Sequence, residues 1–279
     1  MKQMYRRNYR WALRKLLIPL YGRGLVVDIG SGGRPHPFAD IIVEKYTDTS
    51  HRFRELQADG RLVLADALHL PFKDNAFSFS LAYHVLEHIR DVKSFLNELG
   101  RVSKAGYIET PNSVYEILNP LSVHVNVVAT QGDKLVIYPK LDSWAKTPGA
   151  QYRPVYNDAD LQKLLRTHPE AFHTIFRWID SPSFELRMQG ENENLWFDEE
   201  AGLTAEEAAM HPISNSFQLP FPVRLFAKWM LKYRRRFVNG IFVCPRCRSD
   251  LAIQVGSFDC KNLDCGSRFP SVPVPDFRL

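Results

Sequence analysis

Four cysteines stand in two close pairs with the spacing of a metal site: Cys244 with Cys247, and Cys260 with Cys265. Four thiolates in two such pairs suit one tetrahedral zinc ion. Because no other cysteine and no nearby histidine could replace a ligand, the site would be closed and therefore structural. The alternative is four free thiols. The segment around the pairs has too little core to fold alone, so bound metal would supply much of its folding free energy.

A glycine-rich turn is the second group of residues that could do chemistry, with the sequence VVDIGSGG over residues 26–33. Gly30 and Gly32 lack a Cβ, so the backbone there can turn tightly and approach a ligand closely. Asp28 stands just before them. The third glycine of the dinucleotide fingerprint is missing, because arginine and proline follow the last glycine. The turn therefore favours a nucleotide-like cofactor without phosphates over NAD.

Acidic residues accompany the ends of three successive apolar runs. Asp28 ends the first run, Glu44 follows the second and Asp66 follows the third, while Asp48 competes with Glu44 from a few positions further on. Glu44 or Asp48 would accept hydrogen bonds from ribose hydroxyls, and Asp66 from an adenine amino group. Each acid alone is also a common helix cap or loop residue. The three together predict a cofactor site.

These residues need a sheet to position them, and the apolar pattern predicts one. The predicted strands are 25–29, 41–43, 61–65, 77–83 and 106–111, and a helix is predicted over 88–102. Strands alternating with helices indicate an α/β fold, a parallel sheet with helices on both faces. Further on, the pattern predicts a hairpin of 123–129 and 134–138 as an insertion, a helix at 157–168, a closing strand pair of 172–179 and 184–188, and irregular structure over 190–218.

Basic charge is concentrated in two segments. Residues 1–27 carry seven lysines and arginines and no acid, although the net charge of the whole chain is only +5. Residues 4–20 and 221–237 have apolar positions at helical spacing, which predicts two basic amphipathic helices. Such helices bind a nucleic acid, an acidic glycan or an anionic membrane surface, or are simply solvated. Without a secretory signal or an apolar run of the ~20 residues that a membrane span needs, we expect a cytoplasmic protein, with peripheral attachment to a membrane as the alternative.

Five segments in order resemble class I S-adenosylmethionine-dependent methyltransferases, above all the subgroup that includes quinone-biosynthesis enzymes. They are DIGSGG at 28–33, DALHLPF at 66–72, DNAF at 74–77, HVLEH at 84–88 and ELGRVS at 98–103. The resemblance implies a Rossmann-like, seven-stranded sheet with a reversed hairpin at one edge, and S-adenosylmethionine as the methyl donor. The resemblance implies Asp28 and Gly30 near the methionine moiety, Glu44 on the ribose, Asp66 on the adenine, and Tyr83 and His84 beside the methyl group. The other predicted cofactor-binding residues are Ser31, Gly32, Ala67 and, as the alternative to Glu44, Asp48.

Histidines are the candidates for the reaction itself. A sulfonium donor mainly needs an acceptor aligned with the S–CH3 bond and protected from water. A general base is needed only where the acceptor holds a proton tightly, and His84, His124 and His88 are the candidates. His84 and His88 would share one face of a helix. Enzymes of this class that methylate planar nitrogens often carry Asn-Pro-Pro-Tyr where this chain has Ala82-Tyr-His-Val85, which favours oxygen or carbon acceptors.

The cysteine segment, continued through Pro275, resembles the small zinc-ribbon activator proteins that bind methyltransferases, which are usually separate chains. That resemblance implies a built-in stabiliser docked on the catalytic domain. The predicted units are a basic helix at 1–24, a methyltransferase domain at 25–190 with the hairpin insertion at about 112–155, a linking segment with the second basic helix at 191–239, and a zinc ribbon at 240–279.

The predicted function is methyl transfer to a small-molecule, glycan or lipid-linked acceptor. One alternative is an RNA or protein methyltransferase with a built-in activator domain. Another is a non-enzymatic zinc-ribbon protein whose basic segments bind nucleic acid. The sequence identifies neither the acceptor nor the oligomeric state.

Overall fold

A computed structural model describes residues 24–31, 33–48, 55–56, 60–140, 155–187 and 240–279, together with 222, 225, 226, 229 and 238. The helix predicted at 4–20, Gly32 and the segment 190–218 lie outside the described residues. So does most of 221–237, but Pro222, Leu225, Phe226 and Trp229 of that segment are helical and exposed. Among the described residues, we find no helix with the length and apolar character that crossing a membrane requires.

Strands and helices alternate through the first half of the described chain. They are β1 (Val26–Ile29), β2 (Ile41–Glu44), β3 (Leu62–Leu64), β4 (Phe79–Tyr83), α1 (Val92–Val102), β5 (Ala105–Pro111) and α2 (Ser113–Leu118). α1 buries an apolar stripe at helical spacing, and the side chain of Asp91 caps it by accepting the N–H of Ser94 at 3.0 Å. The predicted start of this helix was His88, but the helix begins at Val92. The reason is that Ile89 is extended and ends a separate 3-10 turn at Leu86–His88.

The second half contains β6 (Asn126–Gln131), β7 (Lys134–Pro139), α3 (Ala159–Thr167), β8 (His173–Ile179) and β9 (Phe184–Leu186). β6 and β7 pair antiparallel, and Gly132 in the turn between them has a φ of 63°. This confirms the predicted hairpin. α3 confirms the helix predicted at 157–168, since the carboxylate of Asp158 caps its first turn by accepting two backbone N–H groups.

The central sheet has the order β3-β2-β1-β4-β5-β8, in which the first five strands are parallel and β8 is antiparallel to β5. The predicted parallel α/β sheet is therefore confirmed, but six strands and not seven form it among the described residues. The predicted closing pair is wrong. The chain turns at Asp180, Leu135 donates its N–H to the carbonyl of Ser183 at 2.9 Å, and β9 joins β7 instead of β8.

The cysteine module is a small antiparallel sheet of β10 (Leu251–Gln254), β11 (Ser257–Cys260) and β12 (Arg268–Pro270). It packs on the α/β core through aromatic rings. Phe242 lies 5.6 Å from Phe72 of the α/β part, and the fully buried Phe277 contacts Phe242 and Phe258 at ring distances of 5.3 and 5.1 Å. The module and the sheet therefore share one hydrophobic core.

Backbone pairing at the free edge of β3 adds to this packing. The N–H of Leu64 donates to the carbonyl of Pro275 at 2.8 Å, and the N–H of Phe277 donates to the carbonyl of Leu64 at 2.7 Å. The residues after β12 thus lie parallel to β3 as a short additional bridge. An edge strand that would otherwise expose its polar backbone groups is satisfied there.

Candidate functional site

The turn after β1 requires a glycine for two separate reasons. Gly30 has a φ of 65°, a left-handed conformation that other residues adopt at a cost. A Cβ at this position would also lie 2.5 Å from Cγ2 of Val85. The N–H of Gly30 donates to the carbonyl of Val43 at 2.9 Å, so the turn is held against β2.

Asp28 anchors the loop that follows this turn. The side chain is fully buried, and its Oδ2 accepts the N–H of His36 at 2.7 Å. A buried carboxylate that accepts a backbone N–H holds the loop over the end of the sheet.

Glu44 lies beside the turn, at the end of the neighbouring strand β2. The hydroxyl of Ser31 donates to Oε1 of Glu44 at 3.1 Å, which brings two of the predicted cofactor residues together. Glu44 is buried, whereas Asp48, its predicted competitor, is exposed four residues further along the chain. Each carboxylate oxygen has two lone pairs, so Glu44 can accept further hydrogen bonds from a ligand.

Asp66 follows β3 and makes two contacts within the protein. Its Oδ2 lies 2.7 Å from Nζ of Lys45, and its Oδ1 accepts the N–H of Leu68 at 2.9 Å. No helix follows Asp66, so this bond closes a turn, which is the loop role considered from the sequence. The side chain still exposes 20% of its surface, and the half-buried Ala67 follows it, so the carboxylate can also face a ligand.

The strand register brings these acids to one edge of the sheet. Asp28 is level with Ile42 in β2, and Glu44 is level with Leu64 in β3. The carboxyl ends of parallel strands are where open α/β sheets bind ligands. Carboxylates suit the hydroxyl and amino groups of a nucleoside and the charge of a cationic substituent. The donor set therefore fits an adenosine-containing, positively charged cofactor.

His84 follows β4 at the same edge, with Tyr83 before it packed at 5.3 Å on the ring of Tyr107. His84 has a φ of 54°, which is uncommon for a residue with a side chain. Its N–H donates to the carbonyl of Glu109 at 2.7 Å, and its half-exposed ring lies edge-on to His173 at 5.1 Å. His84 and His88 do not share a helix face, because the strand ends just before His84 and the 3-10 turn begins after it.

Glu87 is the buried carboxylate at the centre of this region. Its Oε1 lies 3.2 Å from Nδ1 of His84, and its Oε2 accepts the hydroxyl proton of Thr110 at 2.7 Å. Burial by itself would raise the pKa of Glu87, but the hydrogen bond with His84 and the nearby charges of His88 and His124 outweigh it and lower the pKa. Glu87 is therefore ionised at neutral pH.

His88 and His124 lie next to Glu87, with their rings edge-on and 4.8 Å apart. Nδ1 of His88 donates to the carbonyl of Val123 at 2.9 Å, and Nδ1 of the buried His124 contacts Oε1 of Glu116. The environment of His88 lowers its pKa to about 4, first because protein replaces water around part of the ring and then because a charged His124 would repel it.

A buried ion pair between Lys140 and Glu116 lies next to His124. Nζ of Lys140 lies 2.6 Å from Oε2 of Glu116 and donates to the carbonyl of Leu121 at 3.2 Å. Desolvation alone would raise the pKa of Glu116, but His124 and Lys140 together lower it. A buried carboxylate with two cationic or donor partners stays ionised.

Sequence reasoning did not identify Glu87, Glu116 or Lys140 as parts of the site. Glu87 lies inside the HVLEH segment, between two histidines that were selected, so its position was a usable signal. Glu116 and Lys140 had none. They are brought to His124 by a short helix and by the end of β7, and only the folded chain shows that both side chains are buried.

The four cysteines converge as their spacing predicted. All four Sγ atoms lie within 4.8 Å of one another, with 3.8 Å between Cys244 and Cys265 and 3.4 Å between Cys247 and Cys260. In a tetrahedral zinc site with bonds of about 2.3 Å, the sulfurs are about 3.8 Å apart. The cysteines are free thiols, not disulfides. The cluster is therefore consistent with zinc.

Residues 28–108 match the sequence model of a family described as "Methyltransferase domain". An uncharacterised protein of Methanocaldococcus jannaschii is 38% identical over 82 residues, which cover 29% of this chain and 36% of that protein. Ajmaline N-methyltransferase of Rauvolfia serpentina is 40% identical over 43 residues, 15% of each chain. This chain therefore spans about a third of the length of the first relative and about a seventh of the second.

Solved structures of methyltransferases are also similar to this chain. A chain from a complex of the Haloferax volcanii Trm112 methyltransferase activator with a methyltransferase is 16% identical, with 65% of this chain and 93% of that chain covered and a TM-score of 0.40. A Thermotoga maritima S-adenosylmethionine-dependent methyltransferase is 25% identical, with 39% and 55% covered and a TM-score of 0.28. Residues 28–108 thus match the methyltransferase-domain family in sequence, and they form the parallel part of an α/β sheet of the kind that class I S-adenosylmethionine-dependent methyltransferases have.

Proposed function

We propose that this chain transfers a methyl group from S-adenosylmethionine to an acceptor. The observation that supports the proposal is the position of Asp28, Glu44 and Asp66 in or just after three neighbouring parallel strands, towards their carboxyl ends, within the segment that matches the methyltransferase domain. Such an edge with carboxylates at successive strand ends suits a nucleoside carrying a positive charge.

We assign residues to the parts of the donor as the family resemblance implies. Gly30, Ser31 and Asp28 would bind the methionine part, Glu44 the ribose hydroxyls and Asp66 the adenine amino group. Glu44 is preferred to Asp48 because it is buried beside Ser31 and Asp48 is exposed. The bound donor would supply a methyl group on a positively charged sulfur.

His84 is the preferred general base. Its contact with the ionised Glu87 favours the tautomer with the proton on Nδ1, so Nε2 has a lone pair. An acceptor hydroxyl within hydrogen-bond reach would pass its proton to Nε2 as its oxygen bonds to the methyl carbon and the S–CH3 bond breaks, which would leave the sulfur as a neutral thioether. His124 is less suited because it is buried. His88 is less suited because its lowered pKa, about 4, makes it a weak base.

The acceptor that we favour is a small molecule, a glycan or a lipid-linked compound methylated on oxygen or carbon. The preference for oxygen or carbon over nitrogen rests on the sequence Tyr83-His84 after β4, in the place where enzymes that methylate planar nitrogens often carry a different motif. The relative named Ajmaline N-methyltransferase matches only 43 residues, 15% of this chain, so its acceptor is not carried over to this protein. The four cysteines would hold a structural zinc ion that stabilises the docked module.

Calorimetric titration of the whole chain with S-adenosylhomocysteine tests the proposal. We expect binding, and we expect Glu44→Gln to weaken it by about 10- to 100-fold, because a hydrogen bond to a charged group contributes about 1.5–3 kcal/mol. Glu185→Gln is the matched control, since that exposed carboxylate lies in β9, away from the sheet edge. The proposal is wrong if the wild type does not bind, or if the control weakens binding as much as Glu44→Gln does.

A further inference from the structure

Among the described residues, one group of metal-binding side chains lies outside the cysteine module and carries the orientation that a bound ion requires. One ligand atom each of Glu87, His88 and His124 lies within 4.8 Å of the others. Two imidazoles and one carboxylate are the protein ligands of a common type of catalytic zinc site. The group is separate from the carboxylates assigned above to the donor.

The outer hydrogen bonds of the two histidines fix which nitrogen is available. A carbonyl oxygen can only accept, so Nδ1 of His88 carries the proton that it donates to Val123. Glu116 accepts in the same way from Nδ1 of His124. In both rings the lone pair is therefore on Nε2, the nitrogen that is free to bind an ion. Histidines that bind metals almost always donate the other ring N–H to a carbonyl or carboxylate in this manner.

The remaining groups complete the surroundings of a metal site. Glu87 is held by the hydroxyl of Thr110, which orients its carboxylate as outer hydrogen bonds orient metal ligands. Lys140 neutralises the charge of Glu116. Glu116 can therefore orient a neutral His124, and His124 need not be protonated to balance the buried carboxylate. His88 is exposed, while Glu87 and His124 are buried, so a fourth position would open on the His88 side.

We propose that Glu87, His88 and His124 bind one divalent metal ion such as zinc, with one coordination position open to water or to an oxygen-bearing ligand. Imidazole and carboxylate ligands suit zinc and cobalt, whereas the cysteine cluster is a separate, softer site made of thiolates alone. This proposal does not depend on methyl transfer, because it concerns only metal binding.

Metal titration of the whole chain with its cysteine site already filled by zinc tests the proposal. We expect the wild type to bind about one further equivalent of Co²⁺, with a spectrum that lacks thiolate charge-transfer bands. His88→Gln should abolish this second binding event, and the substitution is tolerable to the fold because His88 is exposed. Glu116→Gln, which changes the outer partner of His124 and keeps an amide oxygen for Lys140, should weaken binding by about 10- to 100-fold.

His173→Gln is the matched control. With His84 and Glu109 it belongs to another group of possible ligands nearby, whose atoms are also within 4.8 Å of one another. We expect this variant to bind the second ion as the wild type does. The proposal is overturned if the wild type binds no second ion, if His88→Gln keeps it, or if His173→Gln loses it. Far-UV circular dichroism of each variant separates a lost ligand from a lost fold.

Discussion

Arg248 of the cysteine module donates to Oε1 of Glu98 in α1 at 2.9 Å. Glu98 is nearly buried and also accepts from Nε of Arg101 at 2.6 Å and from the N–H of Leu70 at 2.9 Å. One carboxylate therefore connects a helix, the loop after β3 and the module. The buried partner Arg101 additionally donates to the carbonyls of Phe72 and Leu70.

Glu98→Ala should destabilise the chain far more than Arg248→Ala. Removing Glu98 leaves the mostly buried guanidinium of Arg101 with the exposed Asp74, at 2.8 Å, as its remaining carboxylate partner, and breaking such a buried pair costs up to about 3–5 kcal/mol. Arg248 exposes 61% of its side chain, so its removal should cost less than about 1 kcal/mol. Urea unfolding of the two variants measures both values, and equal costs would show that Glu98 does not act as the shared partner.

Phe277→Ala should reveal how much the core depends on the segment that pairs with β3. Phe277 is fully buried against Phe242, Phe258 and Phe269, and truncating a buried phenylalanine costs about 3–5 kcal/mol. Leu279→Ala, two residues further on and 57% exposed, is the control and should change the free energy of unfolding by less than about 0.5 kcal/mol. A loss below that of the control would mean that the module does not share the core.

Gly30→Ala should cost more than the same change at Gly132. Both glycines have a positive φ, 65° and 63°, so each alanine incurs the left-handed penalty of about 1–2 kcal/mol. At Gly132 no atom lies within 4 Å of the added Cβ, whereas at Gly30 it would meet Val85 at 2.5 Å. The double variant Gly30→Ala/Val85→Ala should lose the clash. Thermal unfolding of the three variants checks this, and equal losses for the two single variants would contradict the close contact at Val85.

Cys244→Ser should remove the metal from the cysteine module and unfold it. Structural zinc contributes on the order of 10 kcal/mol of binding free energy to small domains of this kind, and a serine hydroxyl is a poor substitute for a thiolate. Ser257→Ala in β11 is the control, because it keeps all four thiols. Zinc content by mass spectrometry and protease sensitivity after residue 240 are the measurements. A zinc-free variant that resists protease as well as the control does would show that metal is not needed.

Local pattern was enough to predict most of the central sheet, but not the arrangement of its ends. The strands through Pro111, the hairpin at Gly132 and the convergence of the cysteines follow from periodicity, turn chemistry and spacing, which are properties of neighbouring residues. The pairing of β9 with β7 was missed because it depends on a turn at Asp180 and a contact with Leu135. Only tertiary packing decides between two such partners.

The candidate site shows the same division. The assignment of Asp28, Glu44 and Asp66 to a cofactor stays a prediction, although the register does bring their strand ends together. His84 and His88 do not lie on one helix, because the backbone of His84 adopts a left-handed conformation that separates strand from turn. Burial of a lysine such as Lys140 has no sequence signal, since lysine is rarely buried without a partner.

The backbone N–H of Phe277 donates a hydrogen bond to the carbonyl of Leu64, which lies more than 200 positions earlier in the chain. During synthesis on the ribosome, the backbone pairing of this segment with β3 therefore cannot form until the remainder of the chain has been made. Contacts of such long sequence separation form late and slow folding, and an uncovered strand edge can pair with another nascent chain. This protein should thus depend on chaperones, or aggregate, whenever translation stops before the module emerges.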